Sequence, residues 1–304
     1  MILLKKPQEI TGNIHLKGLI YGIPGVGKTT LSLSSPNPVI IDTDKGLYRV
    51  ETQLQCSSLQ VEKYQEVLDL IGSNELDSFE TLIIDSFGEL LMLMNPWIIK
   101  NNSKNSKNSG GLSQQGYGAR KEEFLRLLSL ISHKQKHIIF VAHQKSEKNG
   151  DDKLFTPEAG GSSGEDLMKR LDFVGYMEMI NNKRSITFSP TDRFYAKNSL
   201  QLDNYIEIPH TKNGNTFIND RIIKPSQERL SKNAELRIKY DDIISTGTKI
   251  IKDNDLEVCR KLLGELNIIW DSKIKLAKLL SEKAEQAGYI FNKEVDAFIK
   301  KVII

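Results

Sequence analysis

The sequence has little cysteine and no long apolar run. Cys56 and Cys259 are the two cysteines in 304 residues, and neither has partner histidines at the spacing of metal ligands. This usage argues against a zinc site and indicates a reducing compartment. The apolar run at residues 1–4 is too short for a signal sequence, and no segment approaches the length of a membrane span. We therefore expect a cytoplasmic protein with no membrane partner.

The chain also has little net charge. Its formal charge of +3 is too small to indicate nucleic acid by itself, so evidence for such a partner has to come from local features. The apolar and charged fractions are ordinary for a globular protein. A chain of 304 residues is long enough for one large α/β domain with a small appendage.

A glycine-rich stretch follows the apolar run at residues 19–21. Residues 22–29 read GIPGVGKT and match the G-x-x-x-x-G-K-[ST] spacing of a phosphate-binding loop, the P-loop. Six specified features in this context disfavour a chance glycine-rich turn. We expect Lys28 to reach the β- and γ-phosphates of ATP and Thr29 to place its hydroxyl on Mg²⁺. The predicted nucleotide-binding residues are Gly22, Ile23, Pro24, Gly25, Val26, Gly27, Lys28, Thr29 and Thr30.

Apolar runs alternate with helical patterns along the first two thirds of the chain. Buried strands are predicted at residues 39–41, 79–84 and 137–142, after a first strand at 13–21. Each of them ends in polar residues, which predicts a mainly parallel sheet flanked by helices, with the site at the carboxyl ends of the strands. Further strands are expected at 173–179, 185–189 and 193–196.

Acidic residues follow two of these strands. Asp85 ends the run LIID, where P-loop ATPases place a carboxylate that orients the magnesium shell; a helix cap is the alternative. Asp42 and Asp44 stand two apart and would project to the same side if their strand persists. We predict that Asp44 activates the attacking water and that Asp42 supports it, while turn chemistry before Gly46 stays open as the alternative.

Composition divides the chain further. Residues 101–118 and 145–164 are polar and glycine-containing, and we expect mobile loops there. Residues 1–224 are predicted to form the ATPase domain, and 224–226 to form a linker to a helical region at 225–304. That region carries helical patterns at 235–251, 255–269, 273–287 and 292–302, whose apolar residues should pack into a small bundle.

The strand ends together resemble a known family. The order of the P-loop, Asp42 to Asp44, Asp85 and then His143-Gln144 resembles the RecA-like ATPase core. The sequence is more narrowly similar to phage-encoded P-loop ATP-binding proteins, which include the RecA-related single-strand annealing proteins of phage recombination. The resemblance spans about residues 14–210 and implies the cytoplasm of a host cell. The stretches that carry the similarity to the phage-encoded proteins are SPNPVIIDTDKGL at 35–47, FVAHQK at 140–145 and FYAK at 194–197.

The resemblance implies roles for several residues. Asp44 falls at the catalytic carboxylate, and Gln144 at the polar residue that senses the γ-phosphate; the alternative for Gln144 is a strand-end amide with no ligand. In RecA-like rings or filaments a neighbouring subunit supplies a basic residue, for which Lys197 is the first candidate and Arg193 and Arg184 follow. A solvated surface lysine is the alternative for Lys197.

The resemblance also implies contact with single-stranded DNA through the two polar loops. Lysines would bind phosphates and aromatic rings would stack on bases; solvated loops without function are the alternative. The C-terminal helices are a candidate docking surface for a single-strand DNA-binding protein. The residues expected to contact DNA are Lys104, Lys107, Tyr117, Lys145, Lys148, Lys153 and Phe155.

Three functions fit the sequence. The first is an ATP-dependent protein of phage recombination or replication that promotes annealing or strand pairing of single-stranded DNA. The second is an ATPase that switches or loads a protein partner of the replication machinery. The third is a small-molecule kinase or GTPase: residues 85–88 match D-x-x-G, but no base-reading N-K-x-D follows.

Overall fold

The computed structural model describes residues 14–149, 152–158, 162–209 and 215–301. The chain divides into two compact units, which are described separately. One is His15–Ser226, and the other combines Met1–Ile14 with Gln227–Ile304. Residues 1–13 and 302–304 lie outside the described residues, as do 150–151, 159–161 and 210–214, which include parts of the first predicted strand and of the second predicted loop.

The unit His15–Ser226 is built on a large sheet. Six parallel strands lie in the order β7-β1-β5-β4-β2-β3, and the antiparallel strands β8 and β10 extend the sheet beyond β7. This confirms the predicted α/β fold with a mainly parallel sheet. The strands are β1 Lys17–Gly22, β2 Pro38–Asp42, β3 Ser57–Gln60, β4 Thr81–Asp85, β5 His137–Asn149, β6 Asp152–Pro157, β7 Phe173–Ile180, β8 Lys183–Thr187, β9 Lys197–Asn198 and β10 Tyr205–Ile208.

Helices cover both faces of this sheet. Leu19 and Tyr21 of β1 belong to one apolar cluster with side chains of four helices, while Ile20, which points to the opposite face, is also fully buried. Burial on both faces explains why the central strands read as continuous apolar runs. The helices of this unit are α1 Lys28–Ser32, α2 Tyr64–Gly72, α3 Phe87–Asn101, α4 Gln114–His133 and α5 Ser162–Arg170.

Strand register brings the predicted site residues to one edge. Gly22 of β1 lies opposite His143 of β5, and Asp42 of β2 lies opposite Asp85 of β4. Because these strands are parallel, their carboxyl ends meet there. The P-loop and the polar strand ends therefore converge, as the sequence predicted.

The two predicted loops contain more regular structure than expected. Residues 114–118 form the first turn of α4, and Asn105 is buried, with its side-chain amide donating to the carbonyl of Ile98 at 3.2 Å. In the second stretch, β5 continues to Asn149 and pairs antiparallel with β6. We call β5 beyond Gln144 together with β6 the β5–β6 hairpin. The prediction of loops at 114–118, 145–149 and 152–157 is wrong because backbone pairing and burial were not visible in their polar composition.

Two edge strands were missed and one was misplaced. The strands β3 and β10 are short, and they lie on the two outer sides of the sheet. The predicted strand at 193–196 is wrong, since these residues form an isolated bridge from Phe194 to Phe155 and the paired strand β9 follows at Lys197–Asn198.

The second unit packs helices around a small core. Buried side chains of Ile243, Ile251, Cys259, Leu276 and Leu280 form this core, as the apolar helical pattern predicted. Its helices are α6 Lys224–Asp253, α7 Leu256–Gly264 and α8 Ser272–Gln286, and its strands are β11 Tyr289–Asn292 and β12 Ala297–Lys300.

Two predictions for this region are wrong. Residues 224–226 belong to α6 instead of forming a linker, and the helical backbone is continuous there with a π-helix at Asn219–Ile223. The helix predicted at 292–302 is an antiparallel hairpin, in which β11 pairs with β12; Val302 lies outside the described residues. Among the described helices of the whole chain, none has both the length and the apolar character needed to cross a membrane.

Candidate functional site

The P-loop leaves β1 and curls into α1. Gly25 and Gly27 have φ angles of 76° and 99°, in the left-handed region that side chains disfavour. Val26 is buried below the loop, whereas Ile23 is exposed. Glycine is therefore needed at both positions so that the main chain can turn, as the motif requires.

Lys28 is buried within this loop. Its ammonium group donates to the carbonyl oxygens of Gly22 at 3.2 Å and Ile23 at 2.9 Å. Burial lowers the pKa of Lys28, whereas the charges of Asp85 and Asp44 raise it. The predicted phosphate-binding cation thus lies in the loop and near two carboxylates.

Thr29 and Asp85 meet across the site. The Thr29 hydroxyl donates to Oδ2 of Asp85 at 2.5 Å. Burial raises the pKa of Asp85 to about 6, with the hydroxyl of Thr29 and the charge of Lys28 acting in the opposite direction. A hydroxyl and a carboxylate oxygen side by side are ligands that Mg²⁺ accepts in proteins. Thr29 and Asp85 therefore fit a magnesium ion. The alternative role of Asp85 as a helix cap is not needed, because Ser86 caps α3 and its Oγ accepts from the Glu89 N–H.

Asp42 and Asp44 organise the turn after β2. Asp42 is buried, and its carboxylate accepts from the N–H groups of Gly46 at 2.9 Å and Leu47 at 3.1 Å. Asp44 accepts from the same Gly46 N–H at 2.9 Å. The strand ends at Asp42, so the condition under which Asp42 and Asp44 would project to the same side is not met. The turn chemistry left open from the sequence is present here.

Asp44 nevertheless faces the P-loop side of the site. Its side chain is half-buried, and its charge raises the pKa of Lys28 and of Asp85. Of the two aspartates, Asp44 is thus the one with less of its carboxylate committed to the turn, because Asp42 holds two backbone N–H groups and Asp44 holds one. The role of Asp44 in activating water stays a prediction.

Gln144 lies at the start of the β5–β6 hairpin. Its side-chain oxygen accepts from the hydroxyl of Tyr176 at 3.1 Å. The Tyr176 ring stacks on Phe194, with ring centroids 4.4 Å apart, and also lies parallel to Phe155. The Tyr21 hydroxyl of the P-loop strand donates to the Phe155 carbonyl at 3.1 Å. Hydrogen bonds therefore connect both Gln144 and the P-loop strand to the elements around the hairpin.

Lys197 belongs to β9, and its side chain reaches the carboxyl end of α5. Its ammonium group donates to the carbonyl oxygens of Met168 and Lys169, each at 3.1 Å. These carbonyls belong to the last turn of the helix, where a cation compensates unpaired acceptors. Lys197 therefore has a structural function within its own chain, and its action on a neighbouring subunit stays a prediction. Arg193 pairs with Glu178 at 3.8 Å.

The residues expected to contact DNA differ in their exposure. Lys104, Lys107 and Tyr117 are exposed, and Arg120 lies over the Tyr117 ring at 5.0 Å. Lys145 pairs with Glu147 at 2.5 Å. Exposed Lys148 and Lys153 face each other across the β5–β6 hairpin.

Phe155 differs from the other residues of that set in its packing. Its ring packs parallel to Tyr176 in the aromatic cluster at the base of the hairpin, with the centroids 6.3 Å apart. The side chain is half-buried, and its stacking on a base stays a prediction. A polar loop was expected here, and only the pairing of β5 with β6 turns Phe155 toward the sheet.

Sequence reasoning assigned several residues no role within the chain's own site. Thr43 donates its hydroxyl to the Ser86 carbonyl at 2.9 Å and ties the turn after β2 to β4. His143 is half-buried beside Gln144, and burial together with the charge of Lys28 lowers its pKa. Arg184, considered before only for a neighbouring subunit, lies against Gly27. Tyr176 carried no motif, whereas His143 was already visible as a polar residue at a strand end.

Comparison with known proteins identifies the family of this chain. Residues 14–200 match the family model described as an AAA domain, which covers more than half of the chain. The matched stretch contains the P-loop and Asp44, Asp85, Gln144 and Lys197. No curated protein matches the chain.

Proposed function

The chain belongs to the AAA domain family, and from that premise we propose that it is a Mg²⁺-dependent ATPase acting on single-stranded DNA in phage recombination or replication. The family gives a nucleotide-binding domain of the P-loop ATPase class. The observation that carries the proposed hydrolysis is the hydrogen bond of Thr29 to Asp85, with the charge of Asp44 close enough to raise the pKa of Asp85.

In the proposed reaction each side chain has one task. Thr29 and Asp85 would hold Mg²⁺, which would supply positive charge to the phosphate groups. Lys28 exchanges its backbone acceptors for the phosphates. Asp44 orients water and takes its proton while the water oxygen bonds to the γ-phosphorus and the bond to the bridging oxygen breaks. Gln144 reports the γ-phosphate to the β5–β6 hairpin.

Two substitutions separate binding from turnover. Lys28→Ala should abolish nucleotide binding, because the P-loop then lacks its cation. Asp44→Asn should retain binding and lower turnover by about a hundredfold or more, since removal of a general base costs on that order. Binding is measured with a fluorescent ATP analogue, and turnover as released phosphate.

The matched control for the second variant is Asp77→Asn. Asp77 is an exposed aspartate before β4, at the opposite edge of the sheet, and its replacement should leave turnover unchanged. If Asp44→Asn hydrolyses ATP at the wild-type rate, the role assigned to Asp44 is wrong even though the protein is an ATPase.

Contact with DNA rests on the RecA-like resemblance and on exposed basic residues. Lys104 and Lys107 stand with exposed Tyr117 in the polar stretch after α3, and Lys148 and Lys153 lie on the β5–β6 hairpin. Exposed lysines and an exposed aromatic ring suit a single strand, because the lysines would contact its phosphates and the ring would stack on its bases. Assembly into a ring or filament belongs to the same proposal, and particle shape by electron microscopy with ATP and oligonucleotide tests it.

Fluorescence anisotropy of a labelled oligonucleotide tests DNA binding. Affinity should fall as salt rises and should respond to ATP. Replacing Lys104 and Lys107 by Ala should reduce the slope of log affinity against log salt by roughly one unit per lysine. Lys278→Ala, an exposed lysine on α8, is the control and should leave the slope unchanged.

The second candidate is an ATPase that acts on a protein partner of the replication machinery. Exposed apolar side chains in the unit Gln227–Ile304 favour it, since such surfaces often dock proteins. They include Ile268, Trp270, Ile274 and Val295, which are 44%, 55%, 73% and 62% exposed. Absence of oligonucleotide binding at low salt would exclude the first function and leave this one.

A further inference from the structure

A cavity lies directly beside the P-loop. It has a volume of about 230 Å³, and its walls include Gly27 and Thr30 of the loop and α1, Met177 of β7, and Arg184 of β8. Arg49 and Glu51 from the segment after β2 line it as well. Two arginines and one glutamate give the walls a net positive charge, which favours an anionic ligand.

Arg184 is held in this wall by the sheet. It pairs with Met179 of β7 on one side and Ile208 of β10 on the other, so its backbone is fixed between two strands. Its Nε is buried and has no hydrogen-bond partner. A buried N–H without an acceptor is unfavourable, and a ligand oxygen would relieve it.

The guanidinium group lies flat against the P-loop. A Cβ atom placed on Gly27 would be 3.7 Å from each of Cζ, Nε and one terminal nitrogen of Arg184. Equal distances to three atoms of one plane mean that Gly27 faces the flat side of the group. The N–H bonds lie in that plane and are therefore not directed at Gly27 itself, which leaves them free to meet a ligand beside the loop.

We propose that Arg184 binds a phosphate group of the nucleotide from within the same chain that supplies the P-loop, with the nucleoside in the adjoining cavity. This inference rests on the proposed function, because it takes the P-loop to hold the nucleotide. Gly27 to Thr30 are the residues that border the phosphates in a P-loop, and Arg184 reaches this stretch. A guanidinium fork matches the geometry of phosphate oxygens.

The proposal separates Arg184 from the residues considered for a neighbouring subunit. Lys197 donates to the end of α5, and Arg193 pairs with Glu178. Among the described contacts of these two residues, none is with the P-loop of their own chain. Arg184 does lie there, and no neighbouring subunit is needed to bring it to the phosphates.

Binding measurements on four variants test this. Arg184→Ala should weaken binding of a fluorescent ATP analogue by about tenfold, the loss typical for one charge-assisted hydrogen bond. Arg184→Lys should lose less, because it keeps the charge without the planar fork. Lys183→Ala is the matched control: Lys183 precedes Arg184 on β8, is exposed, pairs with Glu207 at 3.1 Å and should bind as the wild type does. Thermal unfolding of each variant checks the fold, and Arg184→Lys serves if Arg184→Ala is unstable.

Lys28→Ala distinguishes two kinds of failure. If the wild type binds no nucleotide, the proposed function fails. If the wild type binds, Lys28→Ala does not, and Arg184→Ala binds as tightly as the wild type, only the role of Arg184 is overturned.

Two further measurements test whether Arg184 contacts a phosphate group and whether it does so within its own chain. Inorganic tripolyphosphate should compete for the site less well in Arg184→Ala; an unchanged competition would place the contact on the nucleoside and overturn the phosphate assignment. Mixing Arg184→Ala with Lys28→Ala should leave the affinity for nucleotide and the rate of hydrolysis at the reduced level of Arg184→Ala alone. Recovery in the mixture would show that Arg184 acts on a neighbouring subunit, which contradicts the proposal.

Discussion

Single side chains at the site are held by short contacts within the protein. Thr29 donates to Asp85, and Asp42 collects the N–H groups of Gly46 and Leu47. These contacts fix the hydroxyl and carboxylate oxygen atoms without help from a ligand, which is the condition for a preorganised site. The chemistry assigned to each residue can therefore be tested one atom at a time.

Asp85→Asn tests the magnesium role. The amide keeps an oxygen for the Thr29 hydroxyl but loses the negative charge, so binding of Mg²⁺ should weaken while nucleotide binding without metal is retained. Hydrolysis measured across a magnesium titration should need far more metal or disappear. An unchanged magnesium dependence would remove Asp85 from the metal site.

His137 makes the stability of the unit His15–Ser226 depend on pH. The Leu16 N–H donates to its Nδ1 at 3.0 Å, which requires a neutral ring, and burial lowers the pKa of His137 to about 4, with His15 adding to the shift. The unfolded chain keeps the ordinary value near 6.5. Between these values only the unfolded state takes up the proton, so stability is full above pH 6.5 and falls toward pH 4.

Thermal unfolding between pH 4.5 and 7.5 checks this expectation. The wild-type midpoint should drop with falling pH, and His137→Gln, which has no titrating ring, should show a smaller drop. Equal slopes for both proteins would assign the acid sensitivity to other groups.

Elements position the site through strand ends and close backbone approach. The parallel strands, the P-loop, the carboxylates and the second core could be predicted from the sequence, because apolar runs, glycine spacing and polar strand ends are local signals. The β5–β6 hairpin and the terminal hairpin β11–β12 could not, because their strands are defined by partners. Arg184 was visible only as a basic residue, since its place beside Gly27 depends on three paired strands.

Gly22 shows how tightly these elements approach. A Cβ atom there would lie 2.2 Å from the carbonyl oxygen of Met177 in β7, and a paired backbone cannot move aside. Gly22→Ala should destabilise the unit by about 1–3 kcal/mol or more, the range for overpacked sites. Urea unfolding measures the loss.

Gly72→Ala is the control for that measurement. It ends α2, and its Cβ would meet nothing within 4 Å. This variant should unfold at the wild-type midpoint or slightly above it, because alanine reduces the freedom of the unfolded chain. If both variants behave alike, close packing is not the reason for glycine at position 22.

The whole molecule carries one tryptophan in each unit. Trp97 lies in α3 and Trp270 follows α7, so single-tryptophan variants made with Trp97→Phe and Trp270→Phe report the two units separately. A ligand stabilises only what it binds, by about 2.7 kcal/mol at a hundredfold excess over its dissociation constant. ATP with Mg²⁺ should therefore raise the unfolding midpoint reported by Trp97 in the Trp270→Phe variant. The midpoint reported by Trp270 in the Trp97→Phe variant should stay unchanged.

Fluorescence-detected melting of both variants measures this. Equal shifts for the two tryptophans would mean that the units unfold as one cooperative body. A shift confined to Trp270 would move the nucleotide site out of the unit His15–Ser226 and contradict the assignment of the P-loop.

The Lys28 ammonium already donates to two carbonyls of its own loop. An arriving phosphate must take the place of these acceptors, so its net gain is the difference between two sets of hydrogen bonds. Affinity should consequently be modest for fragments that reach Lys28 alone, and should climb steeply once a ligand also engages the oxygens and N–H groups around it. The loop should thereby discriminate a complete nucleotide from the many small anions that share its terminal charge.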